Sequence, residues 1–266
     1  MPLHAPHDHD ELAMHEEHHE RLTMLLWALF FFSLAIFAKF PGLDLLVSAH
    51  YFSPEQGFFN KSHPVVMALY DWTPWLGRGL VVALALLALQ APRISRLLAA
   101  RGRPDLADKV QGPWRHLATV SVCCALLGPG LIIEGVFKNT VGRPRPVQVE
   151  QFGGPDHYQG PFAIGATPDR NRSFVSSHAA AGFALMSLGL TCGPLWRRRW
   201  LLIGIVTGSI VGLGRIMQGG HFLSDIIFAF YAVWLSCELV SWLDKKRLQR
   251  QAAAQASLSP EGRNTP

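Results

Sequence analysis

Three stretches of the 266-residue chain place ionisable and nucleophilic side chains inside or beside apolar runs. Such groups are costly there and are usually functional. The first runs Phe137-Lys138-Asn139-Thr140-Val141-Gly142-Arg143-Pro144-Arg145-Pro146, and the second Ser173-Phe174-Val175-Ser176-Ser177-His178. The third runs from Gly214-Arg215 through Gly219-Gly220 to His221 and Asp225. Lys138, Arg145 and Arg215 are fixed cations suited to a phosphoryl group, which arginine can grip in bidentate fashion. Ser176 and Ser177 fall just before or at the first turn of an expected helix, where free N–H groups and the helix dipole favour an anion. His221 and Asp225 are four residues apart and so share a helix face. A carboxylate on one imidazole nitrogen fixes the tautomer and makes the other a better nucleophile. With His178 as a second imidazole, one can attack phosphorus while the other protonates the leaving oxygen. Charge on the transferring group would be met by the cations, the part magnesium plays in kinases. Singly, each feature has a blander reading: a basic juxtamembrane turn, a capping histidine, a structural His–Asp hydrogen bond. Together, at one depth, they point to phosphate chemistry.

The elements that must position these groups follow from composition. Hydrophobic residues make up 49% and charged residues 16%, and mean hydropathy is +0.19, which excludes an intrinsically disordered chain. Four cysteines are too few for a disulfide-stapled secreted module. Six apolar segments are long enough to cross a bilayer: Leu22–Ala38, Trp72–Ala91, His116–Phe137, Ser177–Trp196, Trp200–Arg215 and Phe222–Leu243. None alternates as a barrel strand must, and lipid demands internally satisfied backbone, so helices are expected. The fold class is therefore all-α, a polytopic membrane helical bundle with six transmembrane helices. Basic residues crowd one side: Arg21, the run from Arg93 to Arg115, Arg197 to Arg199, and Lys245 to Arg250. That side is expected to be cytoplasmic and to hold both termini, and the three polar stretches fall on the other, periplasmic side. The net charge of +5 is thus topological and implies no nucleic-acid partner.

Residues 1–21 read as a His- and acid-rich cytoplasmic tail, 22–243 as the six-span domain, and 244–266 as a basic, then low-complexity tail that frays. The first tail is not a signal peptide; if helical, His15, Glu16, His18 and His19 could hold a metal ion, but a solvated tail is the expectation. Cys123, Cys124, Cys192 and Cys237 read as packing residues, not ligands or bridges. The 26-residue loop from Val147 to Arg172 exceeds what a bare connection needs. With Phe152, His157, Tyr158, Phe162, Arg170 and Arg172 it is the expected headgroup reader, and Arg143 is a further candidate contact. Arg78, about 9 Å inside the second span, either reaches the site or snorkels outward.

These residues resemble the type-2 phosphatidic acid phosphatase superfamily, which shares its core with vanadium haloperoxidases. Its first motif is met by Lys138 and Arg145-Pro146, its second imperfectly by Val175-Ser176-Ser177-His178, and its third by Gly214-Arg215, His221 and Asp225. The resemblance implies a bundle with no metal or other cofactor and a membrane lipid as substrate. It implies that His221 attacks phosphorus to form a phosphohistidine, that Asp225 orients it, and that His178 protonates the alcohol. Lys138, Arg145, Ser176, Ser177 and Arg215 would hold the phosphate. Val175, Ser177 and Gly214 depart from the motifs' Pro, Gly and Ser, and none of these changes removes a proton carrier. The Arg143–Gly154 stretch and the Gly-Gly-His-Phe-Leu-Ser-Asp run are similar to bacterial lipid A phosphatases of this superfamily, implying the inner membrane with the site facing the periplasm. Undecaprenyl diphosphate, phosphatidylglycerophosphate and phosphatidate remain alternative substrates, and a lipid phosphotransferase an alternative reaction. A phospholipid-binding transporter is the non-enzyme alternative, although neither internal repeats nor mid-membrane helix breaks are seen.

Overall fold

The computed structural model describes residues 6–163 and 171–258, with side chains over 20–163 and 171–257. Arg170 and the side chains of His15, Glu16, His18 and His19 lie outside the described residues. The chain opens with α1 (Pro6–Lys39) and the short α2 (Leu43–Ala49). A small antiparallel hairpin follows, β1 (Phe52–Ser53) on β2 (Gly57–Phe58), with Phe52 opposite Phe58. Helix α3 (Pro64–Ala100) starts with proline in its first turn, where no N–H is missed, and contains Pro74 and Pro92. Helix α4 (Pro104–Thr140) includes wider π-type turns around Pro113 and Pro129, which cannot donate to the regular ladder. Then come α5 (Ser177–Phe183), α6 (Pro194–Met217) and α7 (Leu223–Leu258).

Among the described residues, five helical stretches are long and apolar enough to cross a membrane: Glu20–Lys39, Pro64–Ala100, Pro104–Thr140, Pro194–Met217 and Leu223–Ser257. The polytopic all-helical bundle is as expected, but the expected fourth span, Ser177–Trp196, is not one crossing helix. Helix α5 tightens into a 3-10 stretch, Ala184–Gly189, and the chain turns before Pro194 opens α6. Together they cover about 22 Å of a core about 30 Å thick. The segment needs no full crossing because it lies inside the bundle: Ala179 and Ala180 are fully buried and Phe183 nearly so. Its closest partner is α6. A Cβ on Gly182 would come within 2.7 Å of the Gly208 backbone, and one on Gly208 within 2.2 Å of the Phe183 ring. Small residues at such crossings let helices approach where lipid supplies no hydrophobic drive. Two sequence boundaries also move. Arg197 to Arg199 lie in the first turns of α6 instead of a loop, and the expected C-terminal tail is helical to Leu258.

The main core joins Val175, Ala179 and Phe183 to Phe228, Tyr231, Val233 and Trp234 of α7. A second, smaller cluster gathers Phe58, Val149, Phe152 and Phe222 beneath the loops. Outward-facing side chains such as Leu89, Trp75 and Leu76 are more than two-thirds exposed, a face suited to lipid. The C-terminal ends of α4 and α6 and the N-terminal ends of α5 and α7 share one end of the bundle with the hairpin and the 141–163 loop.

Candidate active site

The loop between α6 and α7 is built by two glycines. Gly219 has φ +65°, open to glycine at little cost, and a Cβ there would lie 2.6 Å from Phe58 and Val147. Its carbonyl accepts from the Val147 amide at 3.1 Å, tying the third sequence stretch to the loop that follows the first. Gly220 has no Cβ to spare either: one would sit 2.2 Å from Arg215 Nη2. The guanidinium therefore lies against bare backbone. It donates to Gln218 Oε1 and stands over the Tyr70 ring, 4.6 Å from its centroid.

His221 and Asp225 meet, with His221 Nδ1 3.4 Å from Asp225 Oδ2, but His221 lies in the turn before α7 instead of sharing a face of that helix. That is long for a hydrogen bond, a common state for catalytic pairs without substrate. Burial depresses the His221 imidazole to about 3 against the opposing pull of Asp225, so it is neutral and nucleophilic at neutral pH. Asp225 is fixed by much more than His221. Its Oδ2 accepts from Ser173 Oγ at 2.6 Å and from the Phe222 amide at 2.9 Å, and Oδ1 pairs with Arg143 Nη1 at 2.6 Å.

Arg143 corrects the sequence reading. It is fully buried and cannot contact a headgroup. Its Nη2 pairs with Asp44 Oδ2 at 2.7 Å, its Nη1 also donates to Ser224 Oγ at 2.8 Å, and its Nε donates to the Gln159 carbonyl at 3.0 Å. Phe222 lies under the guanidinium at 4.4 Å. Burial works against the charge, but Asp225 and Asp44 outweigh it and hold Arg143 above the ordinary arginine range. Asp44 also accepts from the Ser224 amide and hydroxyl at 2.8 and 2.6 Å. The order Asp44–Arg143–Asp225–His221 is thus a continuous buried chain of contacts. Sequence reasoning missed Asp44, although a lone acid among Leu43, Leu45 and Leu46 is the same signal that picked out the other sites.

His178 stacks on Tyr70 with ring centroids 5.0 Å apart and planes at 12°. The charges of Arg215, Lys138 and Arg145 all act on it, and those of Arg215 and Lys138 act on His221. The six principal residues therefore converge. Lys138 is nearly buried, and its Nζ donates to the Arg172 carbonyl at 3.0 Å. The hydroxyls of Ser176 and Ser177 are otherwise engaged: Ser176 Oγ caps the Ala179 amide at 3.4 Å, and Ser177 donates to Glu134. The Ser176 amide donates to the Asp225 carbonyl at 3.1 Å, so this turn offers an anion only the amides that follow. Arg172 pairs with Glu134 at 3.6 Å on the exposed rim. Arg78 is exposed, with its guanidinium over the Trp75 ring at 5.7 Å. Of the motif departures, Ser177 sits in ordinary helical backbone, and a side chain at Gly214 would face Leu69, not the cations.

Known proteins are similar to this chain over most of its length. The family model described as the PAP2 superfamily matches residues 118–249. Three curated relatives are lipid A 4'-phosphatases. The protein of Francisella tularensis subsp. novicida (strain U112) is 34% identical over 215 residues, spanning 79% of this chain and 90% of the relative. That of Rhizobium leguminosarum is 28% identical, spanning 82% and 92%, and that of Rhizobium etli is 29% identical, spanning 80% of each. No solved structure gives a significant match.

Proposed function

The chain belongs to the PAP2 superfamily and is a membrane lipid phosphatase, and on that premise we propose that it removes the 4'-phosphate of lipid A through a phosphohistidine on His221. The single observation that carries the mechanism is the convergence of two imidazoles and three cations on one end of the bundle. Relatives acting on lipid A, similar along four-fifths of the chain, support the substrate.

Neutral His221 attacks phosphorus. As the N–P bond forms, the P–O bond to the alcohol breaks, and the departing oxygen takes a proton from His178, which the bound phosphate anion keeps protonated against the burial and neighbouring cations that hold it at about 4 in the free site. Asp225, itself locked by Arg143 and Ser173, stabilises the positive charge that develops on His221. Lys138, Arg145 and Arg215 meet the charge on the equatorial oxygens, with no reorganisation needed at the moment of reaction. Water then hydrolyses the phosphohistidine, with His178 as base. Because side chains supply the positive field, no divalent ion is required: activity persists in EDTA, and loss in EDTA restored by magnesium would contradict this. The termini are cytoplasmic and the site faces the periplasm, in keeping with the basic residues at the opposite end of the helices.

The test is phosphate release by the purified full-length chain from lipid A, undecaprenyl diphosphate, phosphatidylglycerophosphate and phosphatidate, beside His221→Ala. Lipid A is expected to give the highest kcat/KM, and the variant no release from any. A different preferred lipid overturns the substrate; wild-type release by the variant overturns the nucleophile.

A further inference from the structure

Helix α3 lies wholly outside the region matched by the family model, yet it carries the residue that His178 rests on. Tyr70 offers His178 two separate contacts. Its ring stacks on the imidazole, and its backbone carbonyl is close enough to act on the same side chain. A mid-helix carbonyl is normally occupied by the amide four residues on. At that position stands Pro74, which has no N–H. The Tyr70 ring also takes the Arg215 guanidinium.

We propose that the Tyr70–Pro74 turn of α3 is the positioning element of the proton donor: Pro74 leaves the Tyr70 carbonyl open, and that carbonyl together with the Tyr70 ring holds His178 and Arg215 in register. This rests on the assignment of His178 as general acid. A carbonyl only accepts, so the imidazole nitrogen facing it keeps its proton in both charge states. The proton that comes and goes belongs to the other nitrogen, which is thereby the one presented to the leaving oxygen. The ring fixes the remaining freedom, rotation of the imidazole plane. It also keeps a phosphate-binding guanidinium beside the donor at the distance of a cation–π contact. Tyr70 and Pro74 touch no reacting atom and act only through His178 and Arg215.

General-acid assistance matters in proportion to how poor the leaving group is. In the full-length enzyme, Pro74→Ala supplies an amide that competes for the Tyr70 carbonyl. It lowers kcat/KM roughly tenfold for a lipid alkyl phosphate and by less than about twofold for p-nitrophenyl phosphate, whose alcohol leaves without a proton. The fold is not compromised, since alanine is the better helix residue, and the thermal midpoint of the variant is expected to match or exceed the parent's. Tyr70→Leu removes the ring: it shows the same leaving-group selectivity and weakens inhibition by orthovanadate, a phosphate mimic, several-fold. Tyr70→Phe, which keeps ring and carbonyl, restores most of both losses. Equal loss on the two substrates, or none, in folded Pro74→Ala overturns the role of the open carbonyl. A Phe variant no better than Leu overturns the role of the ring. His178→Ala run in parallel keeps the two readings apart. If it lacks the selectivity, the general-acid assignment itself fails; if it has the selectivity and the α3 variants do not, only the present proposal does.

Discussion

At the scale of single residues, Arg143 shows how far charge can be buried when it is fully met. Two carboxylates, two hydroxyls and a carbonyl surround one guanidinium with no exposed surface. Removing one member of such a set leaves an unpaired buried charge, which is far more damaging than loss of a surface pair. Arg143→Met strands Asp44 and Asp225 together, and is expected to cost about 3–5 kcal/mol and to lower the thermal midpoint sharply in detergent. His221 gives a pH signature of the opposite kind. Its folded value is depressed to about 3 from an ordinary 6.5, so the unfolded chain binds the proton first. Its contribution to stability is complete above 6.5 and is lost as pH falls toward 3. Thermal midpoints of the wild type are expected to drop more steeply through that window than those of His221→Gln; parallel curves would show that the buried imidazole is not the source.

The elements translate these contacts into constraints on backbone. Helices α5 and α6 cross so closely that a methyl at Gly208 would collide with the Phe183 ring, a packed group unable to yield. Gly208→Ala should therefore destabilise by about 1–3 kcal/mol, read as a lower thermal midpoint with comparable loss of activity on all substrates. Gly220→Ala makes a different demand. Its methyl meets the tip of Arg215, a flexible group that can move. The fold should survive with a thermal midpoint near the parent's, while phosphate release falls tenfold or more because Arg215 leaves its seat between Gln218 and Tyr70. An active Gly220→Ala would show that Arg215 need not lie against this backbone. The short α5 belongs at this scale too: enclosed by other helices, it sets Ser176 and His178 at the site without reaching across the bundle.

For the molecule as a whole, the site end and the basic end of the long helices are opposite, and the proposed orientation makes an accessible prediction. In intact cells with a permeable outer membrane, a membrane-impermeant thiol reagent should label a cysteine placed at Ser62, beside the hairpin, and not one placed at Gln249 beyond the basic run. The reverse pattern would invert the protein and place the reaction in the cytoplasm. Since Cys123 is exposed, the measurement needs a background in which it is replaced by serine.

Much of this was legible without coordinates because it depends on local sequence. Apolar length gave helices in a membrane, and the short interval from His221 to Asp225 brought the two within reach across the turn that opens α7. Motif order identified Lys138, Arg145, His178 and Arg215 as partners. The failures are all matters of what lies next to what. Arg143 and Arg145 are alike as letters in a row, but only packing decides that Arg143 turns inward to Asp44, a hundred residues earlier, while Arg145 stays with the site cations. The fourth apolar run is long enough on paper to cross, yet its neighbours relieve it of that need by covering it. Tyr70 carries no motif, and it stands out only because packing sets its ring against an imidazole from another helix, one turn before Pro74. Hydropathy and spacing fix which groups are present and at what depth; which of them touch is set by side chains competing for partners across distant segments, and that competition is resolved only when the helices pack.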